Sequence, residues 1–219
     1  MNQFLDKIVY GNPTDYQLQL IAQKTYLDKL SDKLKGYPFP ASNSQATTFE
    51  LKELVEYQNK YKSLPEKQIR IIKALDADFF KYYKMLMVEV YGFDAEEISK
   101  TIDQLIADAG PLIYKLKYFY NRPRPYQLAP YFKVRIFPHH ESVVNSPSYP
   151  SEKAFIGGLF VEVFGNKYPQ VYESLLDVQH QLNDSRKYLG LNFTSDLDFS
   201  MVASKIVSQT PEFCTKYGI

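Results

Sequence analysis

Residues 66–91 read EKQIRIIKALDADFFKYYKMLMVEVY, and this stretch gives the strongest helical signal in the chain. Its apolar residues recur at short intervals, as they do on the buried face of an α-helix. They are Ile69, Ile72, Leu75, Phe79, Tyr82, Met85, Met87 and Val90. Gly92 interrupts the pattern. We therefore predict one helix over residues 66–91.

Helical patterns also occur on both sides of this stretch. They cover residues 15–35, 47–61, 94–120 (with a kink at Gly110-Pro111), 151–164, 169–188 and 194–208. The alternation typical of a strand is found only in a doubtful segment, residues 133–137. The sequence predicts an all-α fold, a packed helical bundle. Residues 1–60 are expected to form an N-terminal helical arm or layer, and residues 61–219 the main domain.

The composition of the chain limits the classes of function that it can have. The chain has 219 residues, a formal net charge of +1 and no excess of either charge that would indicate a nucleic-acid partner. It lacks an apolar run long enough to span a membrane and a secretory leader, so we expect a cytoplasmic protein. Cys214 is the single cysteine, so an internal disulfide is excluded. The three histidines lack metal-ligand spacing, and we predict neither a metal nor a cofactor.

The first segment that carries chemistry is KYFYNRPRPY, residues 117–126. Lys117 stands two helical turns before Arg124, and Pro125 fixes the exit of the chain. A lysine supplies a mobile charge and an arginine a rigid fork that matches phosphate oxygens. Lys115 and Arg122 repeat the same spacing two residues earlier. Taken alone, such a segment is more often a basic helix end with solvated charges.

Two later segments add polar residues at helix ends. In SPSYPSEKAF, residues 146–155, a proline-stiffened loop runs into a helix with Ser151 at its N-cap position. The N–H groups of such a helix start can bind an anion, although the serine can also merely cap its helix. In DSRKYLGLNFTSD, residues 184–196, Arg186 precedes a break at Gly190, and Asp196 can orient the side chain at Asn192.

Together, and in this order, the three segments resemble the signature of the type-2 phosphatidic acid phosphatase superfamily, which includes bacterial acid phosphatases and vanadium haloperoxidases. The family pattern is K-x6-R-P, then P-S-G-H, then S-R-x5-H-x3-D, and the resemblance covers roughly residues 110–200. The family's first motif often reads R-x-R-P, which favours Lys117 and Arg124 over Lys115 and Arg122. The resemblance implies a helical bundle that binds a phosphoryl group through Lys117, Arg124, Ser151, the backbone of Glu152, and Arg186.

This sequence departs from the family pattern at the two catalytic positions and at the glycine beside one of them. In the family the third-motif histidine is the nucleophile or the vanadate ligand, and the second-motif histidine is the general acid. Asn192 and Lys153 stand at these two positions, and Glu152 replaces the glycine. An amide nitrogen has its lone pair in resonance and cannot attack phosphorus. We therefore expect a catalytically inactive or impaired homologue that binds a phosphate-containing small molecule or a free oxyanion.

Two alternatives stay open at this point. The first is an active phosphomonoester hydrolase with a non-standard nucleophile, for which His139 and His140 are the candidates because they precede the second motif. The second is a structural or interaction protein, for example a viral or phage component, that uses the fold as a scaffold. Self-association is compatible with all three hypotheses.

Overall fold

The computed structural model describes residues 4–139 and 144–219, and within these ranges the regular elements are all helices, joined by loops, without a strand. This confirms the all-α prediction and excludes a strand at residues 133–137. The α-helices are α1 (Asp15–Ala22), α2 (Asp28–Lys35), α3 (Gln45–Lys62), α4 (Glu66–Ala77), α5 (Phe79–Met85), α6 (Ala95–Tyr120), α7 (Pro125–Leu128), α8 (Glu152–Lys167), α9 (Tyr172–Tyr188), α10 (Thr194–Ser208) and α11 (Pro211–Tyr217). None of these described helices is both long and apolar enough to cross a bilayer.

The prediction of one helix over residues 66–91 is wrong. The chain leaves the helical conformation at Asp78, which has a φ of −142° and separates α4 from α5. The Asp78 carboxylate accepts a hydrogen bond from the backbone N–H of Lys81 and so caps α5. A π-helical turn, Leu86–Val90, follows α5. The apolar periodicity continues across the break because both helices bury the same side against the core.

Helix α8 lies at the centre of the bundle and packs against α6, α9 and α10. It is apolar around most of its circumference, as expected for a helix surrounded by others. Phe155, Phe160 and Phe164 are almost fully buried and join the main core. Helix α6 is capped by Asp94, whose carboxylate accepts the N–H of Glu97, and runs through Pro111 to Tyr120 without interruption. The second and third motifs are thus held on helices that share one core.

The helices of residues 1–60 pack against the rest of the chain. Helices α1 and α2 contact α6, and α3 contacts α9. Leu51 and Leu54 of α3 form a small core with Leu128 and Phe193. The domain boundary at residue 60 stays a prediction. Helix α3 begins earlier than predicted, because Ser44 accepts the N–H of Thr47 and serves as its cap.

A left-handed turn connects α9 to α10. Gly190 has a φ of +69°, which a residue with a side chain rarely adopts. A Cβ at this position would lie 2.6 Å from Nε2 of Gln58 and 2.8 Å from a methyl group of Ile136. Glycine therefore allows the chain to turn tightly against its neighbours. The turn places Asn192 next to Arg186.

Candidate anion-binding site

A cavity of about 260 Å³ lies where the three motifs meet. We refer to it below as the cavity. Its mouth includes exposed or half-exposed residues such as Ala77, Phe80, Val144 and Asn145, so it reaches the surface. Its walls are formed by Ala77, Phe79, Phe80, Tyr114, Lys117, Arg124, Val144, Asn145, Ser146, Glu152, Lys153, Ile156, Arg186 and Asn192. Of the predicted site residues, the structure brings Lys117, Arg124, Glu152, Lys153, Arg186 and Asn192 to this one space.

Lys117 and Arg124 are buried cations whose hydrogen-bond partners in the described ranges are neutral. They are 1% and 3% exposed. Lys117 Nζ donates to the carbonyl of Pro147 at 2.6 Å. Arg124 donates from Nε to the carbonyl of Ser146 and from Nη1 to the carbonyl of Leu191 and to Oδ1 of Asn192. Neither residue forms an ion pair within the described parts of the chain.

Burial and mutual repulsion lower the pKa of both cations. Burial, with the charge of Arg124 in addition, holds the pKa of Lys117 well below its ordinary value. Burial and the charge of Arg186 lower the pKa of Arg124 to about 10. Both shifts have the sign expected when a charged form lacks both solvent and a counter-ion.

Arg186 and Lys153 share one internal counter-ion, Asp76 at the end of α4. Arg186 Nη1 lies 2.6 Å from the Asp76 carboxylate, and Lys153 Nζ lies 3.3 Å from it. Lys153 also donates to the backbone carbonyl of Asp76. Burial would raise the pKa of Asp76, but Arg186 and Lys153 outweigh burial and hold this pKa below its ordinary value. Burial, followed by the charge of Arg186, lowers the pKa of Lys153 to about 8.

Asn192 occupies the centre of the site and uses both ends of its amide. Its Oδ1 accepts from Nε of Arg186 at 3.0 Å and from Nη1 of Arg124 at 3.2 Å. Its Nδ2 donates to the carbonyl of Ser148 and to Oδ2 of Asp196. Asp196 therefore orients Asn192, as predicted. The amide holds both guanidinium groups in place, but it offers no lone pair for attack.

Ser151 and Glu152 take different positions at the start of α8. The Ser151 hydroxyl accepts the N–H of Ala154, so it caps its own helix, and it is not among the residues that line the cavity. Glu152 lies on the wall, where Oε2 accepts from the hydroxyl of Tyr114 at 3.2 Å. The cavity exists with this glutamate in place. Burial, and then the charge of Glu152, raises the pKa of Tyr114 and keeps it a donor.

A second group of charges lies behind Asn192, away from the cavity. Arg122 donates from Nη1 to Asp196 at 2.6 Å and from Nη2 to Glu50 at 2.9 Å. It also donates to the hydroxyl of Ser195 and stacks on Phe193, 4.0 Å from the ring centroid. We call Arg122, Glu50 and Asp196 the paired cluster. Here one arginine faces two carboxylates.

Lys115 and Arg122, the two residues of the alternative register of the first motif, lie in different parts of the structure. Lys115 lies near the surface and pairs with Asp28 of α2. Arg122 belongs to the paired cluster. Only Lys117 and Arg124 reach the cavity, so the register favoured from the sequence is the one that lines it.

His139 is not a wall residue of the cavity. Its backbone N–H donates to Leu189, and its ring packs against Tyr61 at 5.6 Å between centroids. Burial and the nearby Lys73 and Lys62 lower its pKa. His140 lies outside the described residues. Within the described ranges, no three His, Cys, Asp or Glu side chains gather as metal ligands.

The sequence did not reveal two residues of the site, Asp76 and Tyr114. Tyr114 stands one helical turn before Lys117 on α6, so the helical period could have placed it on the same face. Asp76 gave no such signal, because it reaches Arg186 from 110 positions away in the sequence. A pairing of this kind depends on how α4 packs against α9.

The chain matches no known protein-family model, and a search of curated proteins finds no match to it.

Proposed function

We propose that the cavity binds a phosphate group or a related small oxyanion, and that the chain is a catalytically inactive relative of the type-2 phosphatidic acid phosphatases. The observation that carries this proposal is the pair Lys117 and Arg124. Both side chains are buried and line one cavity, and within the described part of the chain both donate only to neutral acceptors. A buried charge without a counter-ion is costly, and an anion in the cavity would remove that cost.

The charge balance of the site supports an anionic ligand. Four cations line the cavity: Lys117, Arg124, Lys153 and Arg186. Two carboxylates accompany them, Glu152 on the wall and Asp76 behind it. Among the described residues, four positive and two negative charges leave an excess of two positive charges when all groups are ionised. The hydrogen phosphate dianion carries two negative charges, which match this excess.

The donor geometry also suits an oxyanion. Nη2 of Arg124 and Nη2 of Arg186 have no hydrogen-bond partner among the described residues. Asn192 ties the two guanidinium groups to one acceptor, so they are fixed before a ligand arrives. Two forks held in place can donate to several oxygens of one anion without further ordering.

The position of the family nucleophile explains why we propose binding without turnover. Asn192 Nδ2 is committed to Ser148 and Asp196, and the amide has no free lone pair. The alternative of a displaced histidine gains no support from His139, whose ring packs on Tyr61. Lys153, with a pKa of about 8, could donate a proton to a leaving group, but a nucleophile would still be needed.

Calorimetric titration with inorganic phosphate and with vanadate tests the proposal. Wild-type protein is expected to bind, and Arg124→Ala or Lys117→Met to bind at least about tenfold more weakly, since each removes a charged donor. Lys115→Met is the matched control, because Lys115 lies on the same helix and pairs with Asp28 outside the cavity. Hydrolysis of p-nitrophenyl phosphate should stay at the buffer rate. Absence of binding heat with both anions, or equal losses in Lys115→Met and Lys117→Met, would refute the proposal.

A further inference from the structure

Glu152 is the one carboxylate on the described wall of the cavity, and it forms no ion pair there. Four cations line the same space, yet the only hydrogen bond that the Glu152 side chain makes with a described residue is from Tyr114 to Oε2. Its other oxygen, Oε1, has no hydrogen-bond partner among the described residues. The carboxylate and the four cations therefore line one space without an ion pair between them among the described residues.

This arrangement of charges favours anions that carry a proton over anions that carry none. An anion that carries no proton would receive hydrogen bonds from Arg124 and Arg186 but would meet a negative charge at Glu152. An anion that carries an acidic hydroxyl can accept from the arginines with its bare oxygens and donate its proton to Glu152. An ionised carboxylate can only accept hydrogen bonds, so the hydroxyl is the complementary group.

We propose that Glu152 makes the cavity selective for oxyanions that carry a proton, that is, hydrogen phosphate, its close analogues and the monoprotonated form of a phosphate monoester, against sulfate. Sulfate has nearly the size and shape of phosphate but holds no proton near neutral pH. The inference rests on the proposed anion binding and adds the ligand's protonation state to it. Tyr114 supports the selectivity by holding the carboxylate in place at 3.2 Å.

Calorimetric titration of phosphate, arsenate and sulfate at about pH 6.5, where phosphate-type groups still carry a proton in large part, tests this inference. The protein is used as the full chain, in wild-type form and as Glu152→Gln, which keeps the shape of the side chain and removes its charge. Glu96→Gln, an exposed position on α6, is the control for a charge change that does not face the cavity. The half-exposed position of Glu152 makes loss of folding unexpected, and the helical circular dichroism spectrum verifies this.

Wild-type protein and Glu96→Gln should bind phosphate and arsenate roughly tenfold or more tightly than sulfate, the ratio that goes with one unpaired charged acceptor. In Glu152→Gln this preference should largely vanish, mainly because sulfate binds better. Equal binding of phosphate and sulfate by wild-type protein, or a preference that persists in Glu152→Gln, would overturn the inference and leave anion binding intact. Binding only after the substitution would also overturn it, since Glu152 would then block the cavity. Failure of every anion with both proteins would refute the proposed function itself.

Discussion

Arg122 and Arg124 are two residues apart and both are buried, but they have opposite electrostatic surroundings. Arg122 belongs to the paired cluster, where it contacts two carboxylates, those of Glu50 and Asp196. Arg124 faces the cavity and contacts two carbonyls and an amide. The first arginine has its counter-ions built into the fold. The second has none among the described residues, and this difference is the basis for proposing that Arg122 is a structural charge and Arg124 a ligand-binding one.

Asn192 lies on the boundary between these two regions. One end of its amide contacts Asp196 of the paired cluster, and the other end contacts both arginines of the cavity. The Asn192 amide therefore holds Arg124 and Arg186 in place from the side of the paired cluster. The comparison can be tested by removing a charge from each region, by changing the boundary residue, and by titrating the cavity.

Substitution of Arg122 by methionine should cause the largest loss of stability. It leaves Glu50 and Asp196 buried without their cation, and breaking a buried pair from one side costs about 3–5 kcal/mol. Urea unfolding followed by circular dichroism measures the free energy of unfolding. Lys115→Met, which breaks the near-surface pair with Asp28, serves as control and should cost no more than about 1 kcal/mol. Similar losses for both variants would mean that the paired cluster is not a structural charge centre.

Introduction of the residues of the proposed family at Asn192 and on the cavity wall should create activity. We expect the triple variant Asn192→His, Lys153→His, Glu152→Gly to hydrolyse p-nitrophenyl phosphate at least about 10²-fold faster than wild-type protein, the usual contribution of a placed acid or base. Asp196 is already positioned to orient a ring at position 192. Addition of Arg124→Ala to the triple variant should abolish the gain. Hydrolysis no faster than that of wild-type protein would count against an intact phosphate cradle.

Substitution of Arg124 by methionine should affect ligand-linked stability far more than intrinsic stability. In phosphate-free buffer the loss should be about 1–2 kcal/mol, since hydrogen bonds are lost while a buried, unpaired cation is removed. Phosphate at 100 times its dissociation constant should stabilise wild-type protein by about 2.7 kcal/mol. The same phosphate concentration should stabilise Arg124→Met much less. Equal stabilisation of both proteins would place the bound anion elsewhere.

The comparison also shows what could be predicted from the sequence. The fold class and the start of α6 at Asp94 follow from periodicity, and the meeting of Lys117, Arg124 and Arg186 was implied only by the resemblance to the phosphatase signature. The break at Asp78 was missed because a single residue changed its backbone conformation while the apolar pattern continued.

The counter-ions were harder to predict than the cations. Asp76 and Glu50 meet their arginines across 110 and 72 positions of sequence, and no local pattern marks such pairs. Glu50 stands three residues after Thr47, a spacing typical of a capping box, but its carboxylate contacts Arg122 and accepts the N–H of Ser195. Which arginine is neutralised is a property of helix packing, so the sequence could locate the cations without telling the two environments apart.

The smallest expected effect is a change of the free energy of unfolding with pH, caused by Lys153 on the wall of the cavity. Lys153 has a pKa of about 8 in the folded protein, and an unfolded lysine has about 10.4. Between these values the unfolded chain binds more protons than the folded chain, so the free energy of unfolding should rise with pH. Below about pH 8 both states hold the proton, and this contribution is constant. Burial of several tyrosines acts in the opposite direction, but above about pH 10, outside the useful window.

Urea unfolding between about pH 7.5 and 9.5 in phosphate-free buffer should therefore show a steeper rise for wild-type protein than for Lys153→Met, by about 2 kcal/mol over the window. Lys24→Met removes an exposed lysine and should keep the wild-type slope. Saturating phosphate should flatten the wild-type curve, because an anion in the cavity favours the charged lysine and raises its pKa again. Parallel curves for wild-type protein and Lys153→Met would show that Asp76 already neutralises Lys153 fully. The unpaired charge of the cavity would then reside in Lys117 and Arg124 alone.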